Sequence, residues 1–394
     1  MRQRTKREPP EPASEQRPRR RWLQFAASLV LVPTAFRVTH AQSDGGDILI
    51  GQSCQLTGPL APLSSEIREG AKWYLDEVNR KGGVRGRRIK VLVLDDGYDP
   101  KRTAENTKQL VERDGVVALF NFAGTPTTLA ALQTLRQSKV PLVAPFTGSD
   151  ALRGTFERYV FNVRAGYSDE IDKIVQHLST VGVRRVGVAY LNNAFGKSGL
   201  EAAKTAAAKY GVSLLGEAPL QVDGSGLKEV ATTMSRSQPP AIILATAGKV
   251  TSDFIAAYMD IAPGTQFYAL SVVSSQQLTQ TLGPRGRGVA MTQVMPYPWG
   301  GGSRLARELT ELAKSNGATS VTYNHMEGYV SAKVLVEGLR AVGPTPTRES
   351  LVQALESLRE FDLGGFAVRF SDKNHNGSTY VELTIVGNDK KIVR

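Results

Sequence analysis

Short apolar runs alternate with amphipathic stretches along most of the chain. From residue 47 onward the apolar run ILIGQS is followed by the helix-like EIREGAKWYLDEVNRK and by a second apolar run, IKVLVLDD. The same order repeats with TAENTKQLVERDG and VVALFNF. Strands that alternate with amphipathic helices are typical of βαβ units, which build parallel sheets. The pattern therefore predicts an α/β fold.

The alternation starts again after a non-helical stretch at 161–164. A helix pattern, DEIDKIVQHLST, and a strand pattern, RVGVAYL, open this second series, which continues to FYALSVV and GVAMTQV. Helix patterns near 303–315, 325–341 and 348–358 follow. A β-rich tail closes the chain, in which residues 372–377 have the composition of a tight turn between FAVRF and YVELTIV. The second series predicts a second α/β lobe.

Length and composition agree with two lobes. The 394 residues exceed one ordinary domain, and 41% apolar with 22% charged residues is typical of a globular chain. Half of the net charge of +12 comes from residues 1–41, which hold nine Lys/Arg and three Asp/Glu. The other basic residues are scattered, with no long run and little aromatic interleaving, which argues against a nucleic-acid groove.

Residues 1–41 have the features of an export signal. A basic segment that includes the arginine pair at 19–20 precedes an apolar stretch starting at Trp22, and cleavage is predicted after Ala41. The apolar stretch is shorter than the roughly 20 residues that a membrane-spanning helix needs. The arginine pair resembles the twin-arginine export pattern, but Sec leaders also carry such pairs, so both routes stay open. The sequence predicts a mature protein that is soluble in the periplasm.

The turn FAGTPTT at 122–128 is the most informative strand-to-helix connection. Ligands of open parallel sheets bind beyond the carboxyl ends of the strands, where helix N-termini present unpaired N–H groups. Thr125 suits the N-cap of the following helix, and Gly124 permits a close approach of the backbone to a ligand. The turn can hold a carboxylate, although Thr125 alternatively caps only its own helix.

A second turn of the same kind follows the next apolar strand. It supplies Phe146, Thr147 and Gly148, so that an aromatic ring, a hydroxyl and free amides lie beside the first turn and share one anion with it. The second lobe is expected to face these turns across a cleft. Its matching turns lie at 192–196, 247–249 and 271–274.

Patterns for catalysis, nucleotide binding or metal binding are weak. The single cysteine, Cys54, excludes an intrachain disulfide and has no visible base partner. The four histidines form no metal-ligand spacing. The run Gly-Lys-Ser at 196–198 resembles the end of a phosphate-binding loop, but Leu191 stands where that loop requires glycine. The acid pair at 95–96 is interpreted as turn-forming and capping. We therefore expect no enzyme, cofactor or metal site.

Several segments together resemble the branched-chain amino-acid-binding family of periplasmic ABC-transporter receptors. The segments are LTGPL at 56–60, EGA at 69–71, EVNRKGGVRG at 77–86, VLDD at 93–96, DP at 99–100, VPLVAP at 140–145, FNVR at 161–164 and AFG at 194–196. The resemblance covers essentially all of residues 47–394. It implies a type I periplasmic binding protein, in which two Rossmann-like lobes with parallel sheets close on a ligand by a hinge motion that excludes water.

The resemblance also implies the lobe limits. Three crossing segments are expected near 164, 295 and 376. Residues 42–164 plus 295–375 are then the first lobe, and residues 165–294 plus 376–394 are the second.

Carried over by position, several residues match the family's ligand site. Thr125, with Gly124 beside it, matches the hydroxyl residue that binds the ligand carboxylate, and residues 146–148 match the turn that completes this site. Phe195 matches an aromatic residue of the second lobe that covers the ligand. Leu63 stands where amino-acid binders often place an aromatic wall. The resemblance thus implies an intact carboxylate site.

The departures from the family lie where the amino group of an amino acid would be read. The acidic residue that pairs with an α-ammonium falls near Ser271, and a ligand-contacting tyrosine falls near Ala247. A buried ammonium without a carboxylate partner is costly. We therefore expect a small carboxylate-bearing or amide-type ligand, an amino acid or an aromatic or aliphatic acid, in which an α-amino group is not required.

Transport is the function that this combination favours. A monomeric periplasmic receptor that delivers its ligand to the permease subunits of an ABC importer accounts for the leader and the fold pattern. The alternative is a ligand-sensing regulator on the same fold, which would not need export. An enzyme would need a nucleophile with its base, or a metal cluster, in the cleft.

Overall fold

The structure is a computed structural model that describes residues 46–58, 60–388 and 391–394. The predicted export signal and its cleavage site after Ala41 lie outside the described residues. These described residues form one compact unit. No helix in its described part is long and apolar enough to cross a membrane.

The first five strands of the described chain form one parallel sheet. Its strands are β1 (Ile48–Cys54), β2 (Ile89–Asp95), β3 (Ala118–Phe120), β4 (Leu142–Val143) and β5 (Val160–Phe161). Their spatial order is β2-β1-β3-β4-β5. Every residue of β3 is buried, because helices cover both faces of a parallel sheet.

A mixed sheet of seven strands follows in the described part of the chain. Its strands are β6 (Arg185–Leu191), β7 (Ser213–Leu220), β8 (Ala241–Ala245), β9 (Gln266–Ala269), β10 (Ala290–Gln293), β13 (Glu382–Val386) and β14 (Ile392–Val393). The order is β14-β13-β10-β9-β8-β6-β7, in which β13 and β14 run antiparallel to their neighbours. The predicted α/β fold with two parallel-sheet lobes is confirmed.

The helices alternate with these strands. They are α1 (Ala61–Arg80), α2 (Pro100–Lys108), α3 (Thr125–Ser138), α4 (Tyr167–Thr180), α5 (Ala194–Tyr210), α6 (Leu227–Ser235), α7 (Lys249–Met259), α8 (Ser275–Leu282), α9 (Arg304–Ser315), α10 (Tyr323–Ala341) and α11 (Arg348–Glu356). A single π-helical turn, Gln109–Arg113, continues α2. We call the five-stranded sheet with α1 to α3 and α9 to α11 the first lobe, and the seven-stranded sheet with α4 to α8 the second lobe.

The tail differs from its predicted layout. Strand β12 (Ala367–Val368) pairs with β11 (Phe361–Asp362) in a small antiparallel sheet, whereas β13 joins the second lobe. The segment 371–376 does turn, with the N–H of Asn374 donating to the carbonyl of Ser371. It therefore connects two different sheets rather than two strands of one hairpin.

The chain passes between the two sheets in segments that run side by side. The segment after β5 pairs with the segment before β13, since the N–H of Asn162 donates to the carbonyl of His375 at 2.8 Å and the N–H of Gly377 donates to the carbonyl of Asn162 at 2.7 Å. Between β10 and β13 the chain forms α9 and α10, which pack against α1. The lobe limits expected from the sequence stay a prediction.

Helices α1 and α10 approach so closely that glycine is required at the contact. A Cβ added at Gly70 would lie 2.0 Å from the carbonyl oxygen of His325, and one added at Gly328 would lie 1.9 Å from that of Ile67. Beside this contact the rings of Trp73 and His325 stack with their centroids 4.8 Å apart. The position of α10 in the first lobe therefore depends on two small residues.

The substitution Gly328→Ala tests this packing. Because the added methyl group meets backbone rather than a flexible side chain, we expect the free energy of unfolding to fall by at least about 2 kcal/mol. The measurement is urea denaturation followed by circular dichroism. Gly343→Ala is the matched control, since a Cβ there meets nothing within 4 Å. Equal stability of the two variants would show that the helices separate without cost.

Candidate functional site

A narrow cavity lies between the lobes, beyond the carboxyl ends of strands from both sheets. Its lining residues are Gln55, Leu60, Leu63, Tyr98, Ala123, Gly124, Thr125, Phe146, Tyr167, Phe195, Ala247 and Val272. The space left between these side chains is about 20 Å³, enough for one ordered water molecule. A larger open groove of about 730 Å³ runs between α1, α9 and α10, away from the strand ends. The narrow cavity is the candidate site.

The turn between β3 and α3 forms one wall. Gly124 adopts φ +99°, which places its backbone against the cavity without a side chain. The expectation that Thr125 is the N-cap is wrong, because Gly124 takes that position; Thr125 begins α3, and Pro126 follows it in the first turn. The Oγ1 atoms of Thr125 and Thr147 lie 2.7 Å apart, and both side chains are almost fully buried. The first turn of α3 contains no acidic residue. Two hydroxyls and the positive end of a helix dipole thus meet at this wall.

The neighbouring turn supports this wall from behind. Phe146 lines the cavity, whereas Thr147 and Gly148 lie one layer deeper. The N–H of Tyr167 donates to the carbonyl of Gly148 at 2.7 Å, and a Cβ at Gly148 would lie 2.7 Å from the Tyr167 ring. Gly148 therefore allows the first residue of α4 to pack directly against the turn.

Apolar side chains form the remaining walls. Leu63 from α1 and Phe195 from α5 face the cavity from opposite lobes, and Ala247 follows β8. The ring centroids of Phe195 and Tyr167 lie 4.9 Å apart. The side chains at these positions offer no charge to a ligand.

Three polar lining residues, Gln55, Tyr98 and Tyr167, were missed in the sequence. Gln55 has its amide groups bonded to Ser64, Asp96 and the carbonyl of Ala123. Tyr167 and Tyr98 project from the start of a helix and from the tip of a turn. Their only sequence signal is a place next to a strand end, which many surface residues share.

Burial keeps the Tyr98 hydroxyl neutral. Desolvation raises the pKa of this phenol, so it stays a hydrogen-bond donor over the physiological range. Its oxygen lies 3.4 Å from Nδ2 of Asn193, the N-cap residue of α5. Tyr98 thereby contacts the opposite lobe.

Ser271 lies behind the cavity, in a buried ionic network. Both oxygens of Glu170 are occupied there: Oε1 accepts from Nη2 of Arg164 and from the hydroxyl of Ser271, each at 3.0 Å. Oε2 accepts from the N–H of Ser271 at 2.8 Å and from the hydroxyl of Thr292 at 2.5 Å. The carboxylate nearest to Ser271 is therefore fully committed within the protein.

Arg164 joins the two lobes through this network. Its side chain is 1% exposed and pairs with Glu170 of α4 at 3.0 Å and with Glu327 of α10 at 3.3 Å. The Arg164 guanidinium also lies 4.9 Å from the centroid of the Phe146 ring. Burial raises the pKa of Glu327 to about 7, against the opposing effect of Arg164.

A second arginine lies beside Arg164. Nη2 of Arg153 donates to the carbonyls of Thr147, Arg164 and Ala165, at 3.1, 3.2 and 3.4 Å. Burial and the neighbouring Arg164 lower the pKa of Arg153 to about 10. The cavity wall formed by Gly124 and Thr125 thus has positive charge behind it.

Groups suited to nucleophilic or metal chemistry do not converge on the cavity. Cys54 at the end of β1 is 1% exposed, and burial raises the pKa of its thiol to about 12. Such a thiol carries almost no thiolate at neutral pH. Among the described residues no group of three or more His, Cys, Asp or Glu side chains is placed to hold a metal ion.

A polar contact between α1 and the start of α8 joins the two lobes. Oε1 of Glu66 on α1 accepts from the hydroxyl of Ser274, the N-cap residue of α8, at 2.8 Å. Oε2 accepts from Thr322 at 2.9 Å and from Asn324 at 2.7 Å. A first-lobe carboxylate is therefore held against a second-lobe helix N-terminus, an arrangement that the helix dipole favours.

Comparisons with known proteins agree with this architecture. The family model described as periplasmic binding protein matches residues 47–391. The Leu/Ile/Val-binding protein BraC3 of Rhizobium johnstonii is 24% identical over 344 residues, which cover 85% of this chain and 88% of that protein. The Leu/Ile/Val-binding protein homolog 3 of Brucella melitensis biotype 1 is 28% identical over 191 residues, 47% of this chain. The chain spans about half the length of this second relative, since the match covers 50% of it.

A solved structure has the same fold. The substrate-binding periplasmic protein of Ralstonia solanacearum superposes with a TM-score of 0.84 and is 30% identical, with 88% of this chain and 99% of that chain covered. Two parallel-sheet lobes with a cleft at their strand ends define a type I periplasmic binding protein. The chain belongs to the periplasmic binding protein family, in its Leu/Ile/Val-binding branch.

The raised pKa of Glu327 makes stability depend on pH in a defined direction. An unfolded chain titrates a glutamate near about 4.3. Between that value and the folded value of about 7 the folded protein binds more protons, so the free energy of unfolding falls as pH rises through this interval. Glu327→Gln cannot titrate and keeps the side-chain volume.

We therefore expect wild-type stability, relative to Glu327→Gln, to decline from about pH 5 to about pH 8. Urea denaturation of both proteins across this range measures it. The other titrating groups are shared, so they cancel in the difference. A constant difference would mean that the folded pKa of Glu327 is not raised.

Proposed function

We propose that the protein is a periplasmic receptor that delivers a small monocarboxylate to an ABC importer, and that the ligand needs no α-ammonium group. The observation that carries this proposal is the saturation of Glu170 by Arg164, Ser271 and Thr292.

The carboxylate end is supported by the groups at the start of α3. A ligand carboxylate beyond Thr125 meets its hydroxyl, which Thr147 supports from behind, and the backbone N–H groups of the first helical turn. Hydrogen bonds to an ionised group are the stronger kind. The nearby Arg153 and Arg164 add a favourable electrostatic field, and both guanidinium groups are held in place by bonds within the protein.

The other end of the cleft offers no counter-charge for an ammonium. The lining residues that the structure describes include no aspartate or glutamate. Glu170 has no free oxygen, and it already neutralises Arg164. A ligand ammonium in this narrow space would lose its water and gain no charged partner. Burying an unpaired charge in this way costs on the order of several kcal/mol. An α-amino acid is therefore disfavoured relative to its deaminated analogue.

The walls favour a carbon skeleton. Leu63, Phe146 and Phe195 present apolar surface from both lobes, and each buried methylene group contributes about 0.8 kcal/mol. The carboxylate sets the orientation of the ligand, and these side chains supply affinity. An aliphatic or aromatic acid satisfies both demands.

Delivery follows from closure. Ligand trapped between the lobes stabilises the closed form, and a membrane partner that recognises this form receives loaded receptors in preference. The partner is the permease of an ABC importer, the receptor acts as a monomer, and the segment 1–41 directs export by the Sec or the twin-arginine route.

A matched ligand pair tests the proposal. We expect 4-methylpentanoate to raise the melting temperature more than leucine does, because the two share a carbon skeleton and only leucine brings an ammonium. Benzoate extends the series to aromatic acids. The measurement is differential scanning fluorimetry of the mature protein. Strong stabilisation by leucine, with no effect of 4-methylpentanoate or benzoate, would contradict the proposal.

Thr125→Val tests the carboxylate end. The change keeps the branched shape and removes one hydrogen bond to a charged group, so Kd for the best carboxylate should rise by about tenfold to about a hundredfold. Calorimetry measures Kd. Thr205→Val is the control, since Thr205 is exposed on α5 and bonds only within its helix. An unchanged Kd in Thr125→Val would remove Thr125 from the site.

A further inference from the structure

Tyr98 is a cavity-lining residue that contacts both lobes. It stands at the tip of the turn between β2 and α2, lines the cavity, and reaches from the Gly124 wall to Asn193 of the second lobe. Most other aromatic residues of the cavity sit on helices, as Tyr167 and Phe195 do. Tyr98 and Phe146 are the aromatic lining residues carried by turns.

The backbone of Tyr98 is held in a strained conformation. Its φ is +67°, in the left-handed region that disfavours bulky residues by about 1–2 kcal/mol. Its N–H donates to Oδ1 of Asp96 at 2.9 Å, and the N–H of Asp99 donates to the carbonyl of Asp96 at 2.8 Å. Asp96 is fully buried, and the hydroxyl of Ser53 donates to its Oδ2 at 2.8 Å. The turn is therefore built to present this side chain, and strain kept in this way is typical of functional positions.

The ring fills space beside the carboxylate wall. A Cβ added at Gly124 would lie 2.4 Å from Cε2 of Tyr98, so the ring rests directly on the glycine. With the ring in place the cavity measures about 20 Å³. Asn193, which holds the hydroxyl end of the ring, is fixed as the N-cap of α5 by accepting from the N–H of Gly196 at 3.1 Å. The ring is thus supported at both ends.

We propose that Tyr98 is the residue that limits ligand size, and that it restricts the cleft to compact carboxylates. The inference rests on the proposed carboxylate function and adds a specificity determinant to it. Thr125 and its neighbours read the carboxylate, whereas the Tyr98 ring takes up the volume into which a longer carbon chain would extend. Packing against Gly124 holds the ring in that volume, and the contact of its hydroxyl with Asn193 is an addition that the ring does not depend on.

Two substitutions separate the ring from the hydroxyl. Tyr98→Gly removes the ring and suits the left-handed backbone, so this variant is expected to fold. Tyr98→Phe keeps the ring and loses the contact with Asn193. Tyr380→Ala is the control, because Tyr380 is 37% exposed and does not line the cavity.

The measurement is calorimetric Kd for acetate, butanoate, hexanoate and octanoate with each mature protein. In Tyr98→Gly the ratio of Kd for hexanoate to Kd for butanoate should fall by at least about tenfold relative to wild type, because each newly buried methylene strengthens binding several-fold. Tyr98→Phe and Tyr380→Ala should keep the wild-type order of ligands.

An unchanged order in Tyr98→Gly, with carboxylates still bound, would overturn the role of Tyr98 and leave the carboxylate proposal standing. Absence of carboxylate binding in all four proteins, with intact folding by circular dichroism, would overturn the proposed function and this inference with it. A wild-type preference for octanoate over butanoate would overturn the size limit alone.

Discussion

Arg164 places a permanent positive charge, 1% exposed, at the point where the chain leaves the first sheet. Such a charge is stable only with partners that are themselves fully hydrogen-bonded. Glu327 reaches it from the first lobe and Glu170 from the second. The arrangement of the region between the lobes follows from this requirement, because each partner must be brought to Arg164 by its own helix.

The same requirement shapes the ligand site. Glu170 pairs with Arg164, and Ser271 donates a hydrogen bond to Glu170. The end of the cleft beside Ser271 therefore has no free carboxylate to pair with a ligand ammonium. At the opposite end Thr125 and Thr147 keep their hydroxyls beside the start of α3. The result is a cleft with one polar end and apolar walls. This arrangement supports the proposal that the ligand is a carboxylate on a carbon skeleton and needs no α-ammonium group.

Much of the fold could be predicted from the sequence because it depends on local patterns. Parallel strands alternate with amphipathic helices, and the turn at Gly124 carries the residue types that a strand-to-helix connection needs. The tail was harder, since nothing local distinguishes a strand that pairs with β11 from one that joins β10. Strand pairing across long separations depends on tertiary packing, which periodicity does not report.

The candidate site was predictable only in part, for the same reason. Six of the predicted site residues line the cavity: Gly124, Thr125, Phe146, Phe195, Leu63 and Ala247. The other three, Thr147, Gly148 and Ser271, lie behind it. The sequence draws attention to Ser271 as a missing acid. It contains no sign that Glu170, on a distant helix, bonds to that serine and is neutralised by Arg164. Tyr98 was overlooked because its left-handed backbone is specified by the buried Asp96 and not by its own residue type.

The identity of the molecule that the receptor carries tests most directly whether its ligand is a carboxylate without an α-ammonium group. The protein is purified from the periplasm of its source without unfolding, and the ligand is then released by denaturation and measured by high-resolution mass spectrometry. We expect a stoichiometric monocarboxylic acid that carries no amino group. A stoichiometric α-amino acid would contradict this expectation.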